Sequence, residues 1–78
     1  MIVEQELTDN GWKNWDSFFD IVYVKRFDGI MAILTIRNGV GSLDFEDDEC
    51  VIDSFENICS AEEVEDRVND IARRYCNG

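Results

Sequence analysis

The chain has 78 residues, with 18 Asp and Glu against seven Lys and Arg, no histidine, no proline and a net charge of −11. That length predicts one domain, and a hydrophobic share of 45% is too high for a disordered acidic tail. No apolar run reaches the ~18 residues of a membrane span, and a zinc site of Cys and His alone or a histidine-activated nucleophile lacks its residues.

In chain order, Glu4 and Glu6 stand where a signal peptide would carry bases, which predicts a cytosolic protein. Cys50, Cys59 and Cys76 are odd in number and have no CxxC spacing, so structural thiols in a reducing compartment are expected. Ile2 to Leu7 reads as a short strand. From Gly11 to Phe19 the aromatics Trp12, Trp15 and Phe19 fall three and four apart, the spacing of a helical stripe, with Thr8, Asp9 and Asn10 as candidate caps. A short helix is expected there, an aromatic loop being the alternative. Its aromatics would form a lid on the core or an exposed anchor for a partner, and the lid is favoured because a small core needs large side chains.

Asp28-Gly29 and Asn38-Gly39 are hairpin dipeptides, and reading each as a two-residue turn fixes a register. Tyr23 then faces Leu34, Ile21 faces Ile36, Leu34 faces Leu43, Ile36 faces Gly41 and Ala32 faces Phe45, all on one apolar face. Asp20 falls opposite Arg37 as a charged cross-strand pair. The reverse face holds Val22, Val24, Met31 and Ile33, to be covered by the N-terminal aromatics or by a second copy of the chain.

Glu46, Asp47, Asp48 and Glu49 predict an exposed loop, and Cys50 to Ile52 a fourth strand. Phe55 and Ile58 are expected at the entry to a last helix, Ala61 to Cys76. Ser60 and Glu63 form a capping box, Cys59 and Val64 a hydrophobic staple, and Asn77-Gly78 a terminator. Val64, Val68, Ile71, Ala72 and Tyr75 make a stripe that must dock on the sheet. The expected fold is therefore α+β, one acidic domain over residues 1–78. It is a three- to four-stranded antiparallel meander with a C-terminal helix packed on one face and a short N-terminal helix or aromatic segment.

The functional signal is charge. Asp44 to Asp70 holds 12 of the 18 acids and a single base, Arg67, so its net charge equals that of the whole chain. A localised field of one sign points to association with something basic. The candidate binding residues are Asp44, Glu46, Asp47, Asp48 and Glu49, with Glu62, Glu63, Asp66 and Asp70 on the helix. Glu62, Asp66 and Asp70 stack at ~6 Å intervals, loosely matching two phosphate steps of ~3.4 Å along a nucleic-acid strand. An ordinary solvated face, with Glu63–Arg67 and Asp70–Arg74 as i, i+4 pairs, is the plainer alternative. Asp44, Glu46 and Asp48 alternate like the start of a calcium loop, but Glu49 and Phe55 stand where glycine and glutamate are required.

In size, acidity and element order the chain resembles the small phage-encoded inhibitors of bacterial defence, the anti-CRISPR and anti-restriction proteins. The resemblance implies a non-catalytic inhibitor whose carboxylates replace nucleic-acid phosphates. Its partner would be a basic nucleic-acid-binding protein or complex, with no cofactor and no direct contact with nucleic acid or membrane. A generic acidic adaptor or homodimeric interaction module is the alternative.

Overall fold

The structure, a computed structural model, describes residues 1–15 and 18–75. Helix α1 (Glu4–Asp9) is followed by strands β1 (Lys13–Trp15), β2 (Ile21–Phe27), β3 (Ile30–Arg37), β4 (Val40–Glu46) and β5 (Val51–Ile58), then helix α2 (Ala61–Tyr75). The strands form one antiparallel sheet in the order β1-β2-β3-β4-β5. This is the expected α+β meander with its helix on one face, extended at both edges.

The central hairpins set the register. Asp28 and Gly29 have φ of 48° and 80°, and Asn38 and Gly39 have φ of 53° and 79°. Two successive left-handed residues make the tight turn whose twist matches paired strands. Tyr23 accordingly pairs with Leu34, Ile36 with Gly41, and Ala32 with Phe45, as the turns require. Arg37 Nε and Nη2 donate to the two Asp20 oxygens at 2.8 and 3.0 Å.

Tyr23, Ala32, Leu34, Ile36, Leu43 and Phe45 are buried beneath Val64, Val68 and Ile71 of α2. Phe45 meets Phe27 and Phe55 edge-on at 6.2 and 6.1 Å. Gly41 lies in this layer because a side chain there would meet Ile2 Cδ1 at 2.7 Å and Leu34 Cδ1 at 2.8 Å. Ser60 Oγ accepts the Glu63 N–H at 3.1 Å, which caps α2 as its sequence indicates.

Five local expectations need correction. Residues 2–7 are not a strand: Glu4 to Leu7 are good helix formers, and α1 buries Leu7 on the face covered by α2. Residues 11–15 are not helical. In extended chain a separation of three sends side chains to opposite faces. Trp12 is buried among the helices, whereas Trp15 pairs with Val22 on the reverse face. The fourth strand runs beyond Ile52 to Ile58 as β5. Ile58, not Cys59, is buried before α2; Cys59 and Cys50 are free and exposed rather than packed. Tyr75 is exposed, since the last turn of α2 overhangs the core, and Ile21 lies at the uncovered end of its strand. Cys76, Asn77 and Gly78 lie outside the described residues.

Among the described residues nothing covers the reverse face. Both helices pack on the other side, and Val22, Val24, Met31 and Ile33 are partly exposed. Phe18 and Phe19 are exposed, and Trp15 lies at the edge of this face beside Val22 with more than half of its surface exposed, so the N-terminal aromatics do not cover its centre.

Candidate acidic interface

The fold divides the acidic stretch into three parts. Asp44 and Glu46 occupy alternate positions of β4 on the open sheet face, in register with Ile33 and Met31. Ser54 Oγ donates to Asp44 Oδ1 at 2.7 Å. The β4–β5 connection carries Asp47, Asp48 and Glu49 at one end of the molecule. Glu62, Glu63, Asp66 and Asp70 belong to α2, on the far side of the sheet from Asp44 and Glu46.

The loop owes its shape to Asp47. Its Oδ1 accepts the N–H groups of Glu49 and Cys50 at 2.8 and 2.9 Å, and its own N–H donates to the Cys50 carbonyl at 3.0 Å. The Cys50 and Glu49 amides favour the ionised carboxylate and hold its pKa below the usual 3.8. Asp47 is therefore a structural residue of the turn, while Asp48 and Glu49 beside it are exposed.

Arg74 of α2 reaches Asp53 of β5 at 3.9 Å. Because α2 runs antiparallel to β5, that contact puts its last turn at the loop end. Asp70 thus lies toward Asp48 and Glu49, and Glu62 lies at the opposite end of a helix ~22 Å long. Glu62 and Asp66 are exposed on the outer side, with Asp70 continuing the row.

Few bases answer this charge. Of the twelve acids between Asp44 and Asp70, only Asp53, Glu65 and Asp70 come within 4 Å of a base among the described residues. Arg73 pairs with Asp70, and Arg74 turns to Asp53, so the anticipated Asp70–Arg74 and Glu63–Arg67 pairs do not form. Arg67 instead lies over the Phe55 ring at 4.5 Å, held by the π face. Glu65 is inward-facing and structural: it accepts Trp12 Nε1–H at 2.8 Å and pairs with Lys25 at 3.4 Å.

Sequence reasoning missed Glu56. It is exposed on β5 and lines a concavity on the open face with Asp44, Arg37 and Asn57. Its charge was legible, but its strand was not. Among the described residues no three acids or thiols gather closely enough to hold a metal ion. Among them, too, no helix is long and apolar enough to cross a membrane. Comparison with protein-family models, curated proteins and solved structures finds no match to this chain.

Proposed function

We propose that the protein is an acidic binding module that occupies a basic, nucleic-acid-binding surface of a partner protein. The observation that carries this reading is the surplus of unanswered carboxylates. Asp48, Glu49, Glu62, Glu63 and Asp66 make no ion pair among the described residues, and the fold uses none of them in its core. Like charges four apart on α2 cost stability rather than adding it. A carboxylate row that faces outward without cations is suited to arginine and lysine side chains that otherwise hold phosphates. The resemblance to small inhibitors of bacterial defence extends the proposal to a defence protein as the partner, with inhibition by exclusion of its nucleic acid.

The test is capture of the partner from a bacterial lysate, followed by competition with DNA and RNA. Asp48→Lys with Glu49→Lys, and Glu62→Lys with Asp66→Lys, should each weaken capture roughly tenfold or more, because reversal turns attraction into repulsion. Asp47 is left intact in these variants because its carboxylate builds the loop. Binding that survives both reversed pairs with the fold intact, or that coexists with bound nucleic acid, contradicts the reading.

A further inference from the structure

The uncovered sheet face has a pattern unrelated to the acidic row on α2. Its centre is apolar, with Val22 and Val24 on β2 beside Met31 and Ile33 on β3. Charge is distributed to the two sides. Lys13 and Arg26 lie on β1 and β2, while Asp44, Glu46 and Glu56 lie on β4 and β5. Arg37 is neutralised by Asp20. One half of the face is basic and the other acidic.

Shape follows the same division. Trp15, 57% exposed, projects from β1 on the basic side. On the acidic side a concavity of ≈ 380 Å³ opens between Thr35, Ser42, Asp44, Glu56 and Asn57. Trp15, Val22, Thr35 and Ser42 share one row across the sheet, so projection and concavity stand at the same height along the strands.

The geometry points to a second copy of this chain as the occupant of the face. A two-fold axis parallel to the strands, between β2 and β3, brings the basic half of each copy over the acidic half of the other. Val24 then packs on Ile33 of the second copy and Val22 on its Thr35. Lys13 meets Asp44, and Trp15 enters the concavity beside Ser42. Glu56 there supplies an acceptor for the indole N–H. A two-fold across the strands would set Lys13 near Lys13 and Asp44 near Asp44, so the charges select the first arrangement. Aligned packing of twisted sheets at ~10 Å, within about 30°, is a standard way to cover such a face. Four overlapping strands at ~4.8 Å and seven residues at ~3.4 Å give a patch of roughly 19 by 24 Å. Two such patches fall at or below the lower end of stable interfaces, so the dimer is a reversible one.

Sedimentation across a concentration series tests this at physiological ionic strength. The wild-type chain should pass from monomer to dimer as concentration rises. Trp15→Ala, at an exposed edge position, should raise the dissociation constant roughly tenfold or more, as loss of an aromatic anchor seated in a partner's concavity does. Lys13→Glu and Asp44→Lys should each be monomeric with melting curves close to wild type. An equimolar mixture of those two variants should recover the dimer, because the mixed pair of chains restores one ion pair with reversed sign and keeps the other as the native Lys13–Asp44 contact. A wild-type chain that stays monomeric at submillimolar concentration overturns the proposal and leaves the face to a different protein. So does a dimer that tolerates both Trp15→Ala and Lys13→Glu, or a mixture of folded charge variants that fails to associate.

Discussion

Leu34 shows how little redundancy a core of this size has. It is fully buried at the centre of β3, and its Cδ1 occupies the space that a side chain at position 41 would need. Leu34→Ala should cost about 2–5 kcal/mol. A total stability of roughly 4–12 kcal/mol for this length makes that a large fraction, so the loss should be visible as a sharply lower melting temperature. A variant melting within a degree or two of wild type would mean that α2 is not seated on this face. Asp47 gives a pH prediction. Its pKa is depressed, so an open loop takes up protons more readily than the ordered one. The turn is fully stabilised above the usual carboxylate value of 3.8 and is lost as pH falls through the lowered value. The protection of the Glu49 and Cys50 amides, taken relative to their intrinsic exchange rates at each pH, should therefore fall on acidification, whereas Asp47→Asn, with a neutral acceptor, should be less protected at neutral pH and its protection should change little with acid. Equal protection in both proteins at neutral pH would contradict the role given to this carboxylate.

Among the elements, β2, β3, β4 and α2 were legible, β5 was legible only at its start, and α1 and β1 were not, for physical reasons. Asp28-Gly29 and Asn38-Gly39 carry the backbone preference of their turns, and the period-two apolar pattern on either side agrees with them. Two independent signals then converge on one register. In β5 they conflict. Gly41 pairs with Ile58 but Leu43 with Phe55, so Glu56 and Asn57 of β5 oppose the single Ser42 of β4. That bulge, with Asn57 at φ 59°, sends Phe55 and Ile58 to one face at a separation of three, which no regular strand shows. Trp12 and Trp15 share that separation without a bulge, and there it places them on opposite faces. Spacing alone could not distinguish the cases. The candidate site was legible as charge and less so as geometry: the loop and the outer row of α2 were identified, while Asp47's structural role and the strand position of Glu56 depend on contacts across the sheet.

On the scale of the whole molecule, the two associations proposed here should respond to salt in opposite directions. A partner with a basic surface is attracted by the field of all the unanswered carboxylates, and added salt weakens that attraction. Two copies of the chain each carry −11 and repel at a distance, although their open faces are complementary in contact. Screening acts first on the long-range repulsion, because the Debye length is about 8 Å at physiological ionic strength, and less on ion pairs closed between two sheets. Between about 0.01 and 0.15 M salt, dimerisation should strengthen while partner capture weakens. Sedimentation and capture measured over the same salt series check this, and parallel slopes would show that one surface serves both.

The separation of the two tryptophans has a spectroscopic consequence. Trp12 is 2% exposed, with its indole N–H on Glu65 and the Lys25 ammonium 6.0 Å from its ring, beneath the docked helices. Trp15, three residues away, faces solvent from the other side of the sheet. Their emission divides into a shielded component and a component open to an aqueous quencher. The shielded one follows α2 leaving the sheet, and the quenchable one follows whatever arrives on the opposite face. Unfolding and association thus become separate optical channels in the unmodified chain, with Trp12→Phe and Trp15→Phe available to assign each.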